Sequence, residues 1–426
     1  MLAAMPPTTP PAPNQGEPLI RDRGDACPGA LRLHSADDGR LARLRLPAGL
    51  LTSRQVEVLA DAAEALGDGR VTVTSRGNVE LRGLGEGCGA ELADRLAEAG
   101  LLPSTTHERV RNIVASPTAG LDGLGYADVQ LWARELDALL CAEAWTAALS
   151  GRFLFALDDG RGDVAGLGGD VTLIAEAGPS AGGGGAVVHV GGQAFRVAGA
   201  DAPRAALAAA EAFLRAAQAA GNGAWRVREL PGAVGTRTAD GSSAAPLDLA
   251  AAFARAGVGA RAVVPAPAVP HAGPPVPGAL GGRALHVLAP LGRLTAAQLR
   301  ALLPADEVRL TPWRGAVVVG AFDGRLPELD AAGLITRPAD PWAGVGACTG
   351  RPGCAKSLAD VRADATPGHG GLPVHFSGCE RRCGHPQGRA WVDVVATADG
   401  RYLVDGRPTP RTDLPHAVAA ARTPTR

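Results

Sequence analysis

The segment Cys348-Thr-Gly-Arg-Pro-Gly-Cys354, followed by Ser377-Gly-Cys379-Glu-Arg-Arg-Cys383, decides how the rest of the chain is interpreted. It holds four of the seven cysteines, one pair separated by five residues and a second pair by three. Four thiolates form the ligand set of an iron–sulfur cube, which sulfur donors from several turns must surround. We therefore predict that a [4Fe–4S] cluster is bound by Cys348, Cys354, Cys379 and Cys383.

A zinc site is the alternative explanation of these thiols. Zinc sites usually use cysteine pairs with two or four intervening residues, so the spacing here favours the cluster but does not exclude a zinc site. The other cysteines are interpreted separately. Cys88 and Cys141 stand in Ala-rich helical segments and are expected to be core or half-exposed residues, whereas the role of Cys27, in Cys27-Pro-Gly-Ala, stays open.

The composition excludes several classes of protein. Lys and Arg total 42 against 43 Asp and Glu, and this balance argues against wholesale binding of nucleic acid or anionic membranes. The odd number of cysteines and the lack of a recognisable secretory leader indicate a reducing compartment. The chain also lacks an uncharged apolar run long enough for a bilayer. We predict a cytoplasmic protein that binds neither nucleic acid nor a membrane.

An internal repeat organises the chain. In both copies a short strand leads through a Pro-x-Gly turn to a threonine that caps a helix, and a second strand follows. The caps are Thr52 and Thr295, and the second strands, residues 71–81 in the first copy, contain Thr74 and Thr311. Matched caps and matched threonines in the same element order indicate two related half-units.

The segments around these copies complete a prediction of class α+β. Strand patterns near residues 153–157, 171–175 and 187–197 predict an antiparallel meander, and a helix is expected from about Asp201 to Ala220. The half-units are ferredoxin-like and pseudo-symmetric, and each is accompanied by a mixed α/β lobe. The predicted divisions are a disordered Pro-rich leader (1–20), half-repeat 1 (21–105), the first lobe (106–230), a Pro/Gly-rich linker (231–282), half-repeat 2 (283–337), the iron–sulfur lobe (338–412) and a C-terminal tail (413–426).

Together, the cysteine motif and the repeat resemble the sulfite/nitrite reductase family. The order C-x5-C and then Ser377-Gly-Cys379-x3-Cys383 is similar to that family's siroheme-linked [4Fe–4S] signature, and the family has the same internal two-fold repeat. The resemblance covers nearly the whole chain after the leader. It implies that Cys383 joins the cluster to a tetrapyrrole iron.

Three segments resemble the tetrapyrrole-facing motifs of the family, and all of them carry arginine. They are Thr74-Ser-Arg76-Gly-Asn78, Arg111-Asn112 and Gly151-Arg152. A reduced tetrapyrrole with acetate and propionate arms is a polyanion, whose carboxylates need bidentate or hydrogen-bonded partners when they leave water. Arg314, next to Trp313, is the expected pseudo-symmetric counterpart in the second copy. The candidate catalytic residues are Arg76, Arg111, Asn112 and Arg152, and the candidate tetrapyrrole contacts are Arg76, Asn78, Arg111, Arg152 and Arg314.

The choice of chemistry depends on the basic loop. Assimilatory reductases have a Lys-x-Lys arrangement that delivers protons to the anionic substrate, whereas the positions here are Arg152 and Leu154, so the second cation is missing. The segments around Cys27-Pro-Gly, Thr74-Ser-Arg-Gly-Asn and His375-Phe-Ser-Gly-Cys instead resemble the precorrin-3B synthase family. In that family the tetrapyrrole is the substrate and not a cofactor.

This resemblance implies a monooxygenase of aerobic cobalamin biosynthesis. Precorrin-3A would be hydroxylated by O2 at C20 with formation of a lactone, using electrons from a donor of unknown identity that pass through the cluster. The family is thought to use an additional mononuclear non-haem iron. The sequence identifies no ligands for it, and His107, His375 and His385 are interpreted as structural residues.

Two alternatives stay open. The chain would be a siroheme-dependent sulfite or nitrite reductase if it carries siroheme as a cofactor. It would be an electron carrier or a tetrapyrrole-binding module if it binds the ring without oxygen chemistry.

Overall fold

The computed structural model describes residues 29–178, 184–231, 247–368, 371–386 and 390–423. The predicted leader, Cys27 and residues 232–246 of the predicted linker lie outside these described residues. Within them, the strands form four sheets, one in each half-repeat and one in each lobe.

The sheet of the first half-repeat packs against helices α1 (Ser53–Leu66) and α2 (Gly89–Glu98). Thr52 caps α1, because its side chain accepts a hydrogen bond from the Gln55 N–H (3.2 Å) and Gln55 returns one to Thr52 (3.0 Å). In spatial order the strands are β1 (His34–Ala36), β2 (Gly39–Leu44), β5 (Val79–Leu84), β4 (Arg70–Val73) and β14 (Arg293–Thr295).

The second half-repeat has the same construction with α6 (Ala296–Ala301) and α7 (Leu326–Ala331). Thr295 forms the same reciprocal capping box with Gln298. The strands, in spatial order, are β12 (Gly278–Leu280), β13 (Ala284–Leu288), β16 (Gly315–Val319), β15 (Glu307–Leu310) and β3 (Leu50–Leu51).

The two half-repeats exchange an edge strand. Strand β3 of the first copy pairs with β15, and β14 of the second copy pairs with β4. The turns before these strands also match, since Ala48 (φ 54°) and Leu291 (φ 50°) both have a positive φ that is uncommon outside glycine. One hydrophobic core, with members from Ala30 to Leu334, spans both sheets. The predicted internal repeat is therefore present in three dimensions.

Each predicted second strand is in fact a hairpin. The segment 71–81 divides into β4 and β5 around a turn in which the Thr74 N–H donates to the Asn78 carbonyl (2.8 Å). Thr311 N–H donates to the Gly315 carbonyl (2.9 Å) in the same way. The prediction of one continuous strand was wrong, because a glycine with positive φ at 77 reverses the chain.

The sheet of the first lobe is mixed. Strands β6, β7 and β8 are parallel, and β8 to β11 are antiparallel. The predicted meander is wrong for β7 and β8, since the connection between them crosses over, and it is right for β8, β9 and β10. The strands are β6 (Ile113–Ala115), β7 (Phe155–Asp158), β8 (Val171–Glu176), β9 (Gly185–Val190), β10 (Gln193–Ala198) and β11 (Ala260–Ala262).

Helices α3 (Val129–Ala142), α4 (Ala202–Ala220) and α5 (Leu249–Arg255) cover this sheet. Helix α4 matches the predicted helix at both ends. Helix α5 lies within the predicted linker, yet Leu249 and Phe253 are buried in the core of the lobe. The chain from 247 to 262 therefore packs as part of the first lobe and does not act as a free connection.

The lobe predicted to hold the iron–sulfur cluster repeats the order of the first lobe, with three parallel strands followed by antiparallel ones. Its helices are α8 (Val361–Asp364) and α9 (Leu414–Arg422), and α9 buries Leu414 and Val418, so the predicted tail includes a packed helix. Its strands are β17 (Val345–Ala347), β18 (Val374–Ser377), β19 (Val392–Ala396), β20 (Tyr402–Val404) and β21 (Arg407–Thr409).

None of the helices in the described part of the chain has the length and apolar character needed to cross a membrane.

The remaining helical segments are short 3₁₀ turns. The 3₁₀ turns are Pro47–Gly49, Ala144–Ala148, Ala165–Leu167, Gly199–Asp201, Val227–Glu229, Pro290–Gly292, Asp323–Arg325 and Arg411–Asp413.

Candidate functional site

Two of the cysteines follow neighbouring parallel strands. Cys348 comes directly after β17, and Cys379 comes after β18 with Gly378 between. Because the carboxyl ends of parallel strands meet at one edge of a sheet, both loops emerge at the same place. The Gly378 N–H donates a hydrogen bond to the Cys348 sulfur at 3.2 Å. The topology thus joins the two halves of the motif across 30 residues of sequence.

The loops that carry Cys354 and Cys383 turn back toward the same point. The Leu358 N–H donates to the Gly378 carbonyl (2.8 Å), which ties the first loop to the second. Burial raises the pKa of the Cys383 thiol, Arg381 lowers it, and the charges of Cys348, Cys379 and Cys354 raise it again. The other three cysteines therefore lie near enough to Cys383 to act on its thiol.

The spacing of the sulfurs bears on the choice between a cluster and zinc. Within the described residues, no three of the four cysteine sulfurs lie within 4.8 Å of one another. Sulfurs on a tetrahedral zinc ion would be about 3.8 Å apart, given a Zn–S bond of about 2.3 Å. The four sulfurs are thus not arranged as they would be on a single zinc ion, and four soft donors are also the ligand set of an iron–sulfur cluster.

The first half-repeat holds the loop around Cys354. Arg82 donates to both oxygens of Asp38 (2.9 and 2.8 Å) and to the Gly353 carbonyl (2.6 Å). Asp37 accepts from the Ala355 N–H. Burial lowers the pKa of Arg82, but its acidic partners raise it further, so its charge is secure. The cysteine loop is therefore positioned by contacts with another domain as well as by its own lobe.

A cavity of about 330 Å³ lies beside the cysteines, between the second half-repeat and the iron–sulfur lobe, and is partly open to solvent. Residues 274–277 of the linker and Ser75 of the first half-repeat complete its wall. The size is typical of a ligand site. Its aromatic and cationic lining consists of Trp313, Arg314, Trp342, His375, His385 and Arg422.

Arg314 reaches from the hairpin of the second half-repeat to the cysteine loop. It has a positive φ of 62°, and its Nη2 donates to the carbonyl of Gly384, the residue after Cys383. Burial lowers the pKa of Arg314 to about 10, and the Cys348 thiol opposes this shift. Arg314 forms no ion pair with a carboxylate among the residues that the structure describes. The half-buried guanidinium thus has no counter-charge from these residues, which favours an anionic ligand.

Arg422, from α9, is the second guanidinium in the cavity wall. It donates to the carbonyls of Leu372 (2.8 Å), Gly368 (2.8 Å) and Ala343 (3.0 Å), and burial lowers its pKa. In the described part of the chain it too forms no pair with a carboxylate. No motif in the sequence pointed to Arg422, because its position depends on how α9 packs.

The two hairpin turns define how residues of the two copies correspond. The Thr74 hydroxyl accepts from the Asn78 N–H (3.2 Å), and the Thr311 hydroxyl accepts from the Gly315 N–H (3.1 Å). Arg314 therefore occupies the position of Gly77 (φ 68°), and the residue that corresponds to Arg76 is Trp313. Arg314 thus lies in the equivalent hairpin of the second copy, one residue beyond the position of Arg76. Arg76 is half-buried, and its neighbour Ser75 lines the cavity.

Of three other predicted site residues, Asn78 and Asn112 connect the first half-repeat to the first lobe, and Arg111 is paired within the first lobe. Asn78 accepts from the Leu46 N–H (2.9 Å) and donates to Asn112 (3.0 Å), which donates to the Phe153 carbonyl (3.0 Å). Arg111 forms a bidentate ion pair with Asp137, with both contacts at 2.6 Å. Asn78, Asn112 and Arg111 are not among the residues that line the cavity. Their predicted roles as ligand contacts remain predictions.

Arg152 lies apart from the cavity lining. Its guanidinium stacks over the ring of Trp225, 4.7 Å from the ring centre, and the residue is exposed. This cation–π contact orients the side chain at the surface of the first lobe.

His375 connects the cavity with the cysteine loop. Its Nε2 lies 3.0 Å from the Cys383 carbonyl, while its buried Nδ1 has no partner among the described residues. Its ring meets Trp391 edge to face, and Trp391 stacks on His385. Burial holds the pKa of His375 well below its usual range, so the ring is neutral. The sequence placed His375 near the motif but did not indicate that it lines a cavity.

One acidic group lies in the first lobe, after β7. Asp158, Asp159 and Asp163 have carboxylate oxygens within 4.8 Å of one another. Asp158 accepts hydrogen bonds from four backbone N–H groups, and Asp159 forms an ion pair with Arg161. Contacts within the loop therefore satisfy both carboxylates. Asp163 accepts from the Ser116 hydroxyl (2.6 Å), and its second oxygen is buried without a described partner. We assign no metal to this group.

Asp163 should make the stability of the protein depend on pH. Burial raises its pKa to about 7 from an ordinary value of 3.8, so the folded state favours the protonated form. That contribution is complete below about pH 3.8 and is lost as the pH rises through about 7. We expect Asp163→Asn to gain free energy of unfolding relative to the native chain over this range, by up to about 1.4 kcal/mol per pH unit.

Urea unfolding at intervals between pH 5 and pH 8 measures this effect. Asp94→Asn, at an exposed position of α2, is the matched control and should show no such trend. A constant difference between Asp163→Asn and the native chain over this pH range would place the pKa of Asp163 near its ordinary value.

Cys88 and Cys141 do not belong to the site. The Cys88 sulfur donates to the Gly85 carbonyl (3.2 Å) in the first half-repeat, and Cys141 lies in α3, where burial raises its pKa. Cys27 falls outside the described residues.

Comparisons with known proteins agree with this architecture. The model of the nitrite/sulfite reductase ferredoxin-like half domain matches residues 34–99. Ferredoxin–nitrite reductase of Synechococcus elongatus is 28% identical over 88% of this chain and 79% of its own length. Precorrin-3B synthase of a Sinorhizobium species is also 28% identical, over 92% of this chain and 86% of its own.

The solved structure of the NirA protein of Mycobacterium tuberculosis has the same fold. It superposes with a TM-score of 0.64 at 17% identity, covering 88% of this chain and 79% of the other. The predicted class, α+β with two ferredoxin-like half-repeats and two mixed lobes, is thereby confirmed. The chain therefore contains a nitrite/sulfite reductase ferredoxin-like half domain, has the fold of the NirA protein, and is similar along most of its length to oxidoreductases.

Proposed function

We propose that this protein is a precorrin-3B synthase, a cytoplasmic monooxygenase that hydroxylates precorrin-3A at C20 and closes a lactone. One observation carries the proposal: the cavity beside the four cysteines presents Arg314 and Arg422, two guanidiniums that have no carboxylate partner in the described residues. Such a cavity favours a ligand that brings its own carboxylates.

The shape and chemistry of the cavity suit a reduced tetrapyrrole. Trp313 and Trp342 supply flat apolar surface, and prolines from the linker and from both neighbouring domains line much of the rest. The opening to solvent leaves room for a macrocycle larger than the enclosed volume. Arg314 and Arg422 would each bind a carboxylate arm, and together they would orient the ring edge toward the cysteine loop.

The basic loop favours this substrate over sulfite or nitrite. Leu154 is only 1% exposed and packs in an apolar cluster, so it offers no charge to a small anion. Arg152 stacks on Trp225, and an arginine does not release its proton at neutral pH. Reduction of sulfite or nitrite needs repeated proton delivery, for which this loop provides no lysine.

The four cysteines would hold a [4Fe–4S] cluster, which when bound supplies electrons one at a time. The reaction incorporates one oxygen atom of O2 into the substrate and releases the other as water, consuming two electrons and two protons. Neutral His375 keeps the Cys383 carbonyl in place through Nε2 and leaves Nδ1 free to accept a hydrogen bond from a ligand. We assign no ligands to the mononuclear iron that the resemblance implies, and the electron donor is not identified.

A siroheme-dependent nitrite or sulfite reductase is the second candidate, favoured by the equal identity of the nitrite reductase relative. Anaerobic purification, followed by an absorption spectrum and iron and sulfide analysis, separates the two. Precorrin-3A and ¹⁸O₂ are then added with a chemical reductant. A product heavier by one ¹⁸O atom supports the proposal.

Siroheme bands on the purified protein together with reduction of nitrite or sulfite would instead establish the reductase. Binding of precorrin-3A without oxygen consumption would indicate a tetrapyrrole-binding module. Either result would overturn the proposed function.

A further inference from the structure

Arg362, in α8, is a partly buried arginine that the cavity does not use. Its Nη1 donates to the carbonyl of Leu291 at 3.3 Å, in the Pro-x-Gly turn of the second half-repeat. Its Nε is buried without a hydrogen-bond partner. Within the described residues Arg362 has no ion pair, although burying an arginine without an anion is costly.

The backbone places Arg362 against the first cysteine loop. A Cβ atom at Gly350 would lie 3.2 Å from the Val361 nitrogen, so the start of α8 touches the loop two residues after Cys348. The Arg351 N–H donates to the Ala359 carbonyl at 3.0 Å and fastens the same loop. Leu291, Cys348 and Ala359 all pack against the core of the iron–sulfur lobe. The guanidinium is therefore held on the Cys348 side of the site.

The charges around Arg362 are mostly of its own sign. Burial, together with the positive charges of Arg293, Arg314 and Arg82, lowers its pKa to about 9. Cys348 acts on it in the opposite direction. Arg293 is neutralised by Asp68, and Arg314 extends into the cavity. Among the described residues Arg362 therefore has no acidic partner, and the cysteine loop is the side from which an anionic group could neutralise it.

We propose that Arg362 is the counter-charge of the iron–sulfur cluster on the Cys348 side and makes the cluster easier to reduce. This inference rests on the cluster of the proposed function. A cluster ligated by four thiolates is anionic and becomes more negative on reduction, so a nearby fixed cation stabilises the reduced state more than the oxidised one. Arg314 differs in role, because it lies in the ligand cavity and Arg362 does not.

A redox titration followed by electron paramagnetic resonance tests this with the full-length, cluster-loaded protein. Arg362→Met removes the charge and keeps much of the aliphatic stem, whereas Arg362→Lys keeps the charge. We expect Arg362→Met to lower the equilibrium constant for reduction at least about tenfold, equivalent to a potential about 59 mV lower for a one-electron couple. Arg362→Lys should change it less than about threefold, and Arg401→Met, at an exposed position, should not change it.

Iron and sulfide analysis of the same samples separates the possible failures. A native protein without cluster iron would overturn the proposed cluster itself. A loaded Arg362→Met protein with the native potential, or equal shifts for the Met and Lys variants, would overturn the role of Arg362 alone. If Arg362→Met cannot retain a cluster, retention by Arg362→Lys supports the counter-charge, and loss from both variants contradicts it.

Discussion

Replacing Cys379 by alanine is expected to abolish the iron–sulfur cluster. Cys379 follows β18 in the loop that also carries Gly378, whose N–H donates to the Cys348 sulfur. Without this thiolate the cube keeps only three sulfur ligands and has an open iron corner, and we expect nearly complete loss of cluster iron on purification in air. The visible absorption of the brown cluster chromophore, together with the iron and sulfide content of the purified protein, measures the loss.

Cys88→Ala is the matched control, because Cys88 lies in the first half-repeat and bonds only locally to Gly85 in the described structure. It should retain the native iron content. A full complement of cluster iron in Cys379→Ala would show that the four-cysteine assignment is wrong. Far-ultraviolet circular dichroism of both variants distinguishes cluster loss from unfolding.

Replacing Arg314 by glycine is expected to weaken binding of a polycarboxylate tetrapyrrole by about tenfold to about a hundredfold. A hydrogen bond to a charged group contributes about 1.5–3 kcal/mol, and each 1.4 kcal/mol is about tenfold in affinity. The backbone tolerates this change, because Arg314 (φ 62°) occupies the position that Gly77 (φ 68°) has in the first copy. Uroporphyrin, a planar tetrapyrrole with acetate and propionate arms, serves as the probe through quenching of tryptophan fluorescence.

Arg401→Met supplies the control for loss of one positive charge at an exposed position, and it should bind the probe as the native chain does. Iron content should be unchanged in Arg314→Gly. Unaltered affinity for uroporphyrin would exclude Arg314 as a carboxylate contact. A parallel loss of iron and affinity would mean that Arg314 supports the cysteine loop through Gly384 and does not act on the ligand directly.

Part of the fold could be predicted because local signals repeat. Threonine caps at Thr52 and Thr295 and the matched hairpin threonines Thr74 and Thr311 have the same hydrogen bonds in both copies. The wrong predictions came from features without a local signal. Nothing between β7 and β8 distinguishes a crossover from a tight reversal, and the segment before Ala260 reads as a linker although α5 packs into the lobe.

The candidate site also combines residues that local sequence indicated with residues whose contacts only the tertiary structure decides. Arg76, Arg111 and Arg152 share a residue type and a family-like context, yet Arg111 is paired with Asp137 and Arg152 with the Trp225 ring. An arginine is available to a ligand only if no acidic side chain of the protein already pairs with it. That partner can be distant in sequence, as Asp137 is 26 residues from Arg111. Arg362 and Arg422 carry no motif at all.

The sequence alone predicted the four candidate thiol donors, the two capped half-units and the proposed class of ligand chemistry, because spacing and residue type act over a few residues of chain. Tertiary structure alone decided which cations remain without a carboxylate and where they point. Burial and partnership of a charge depend on segments distant in sequence, as when β14 of one half-repeat completes the sheet of the other and α9 brings Arg422 to the cavity.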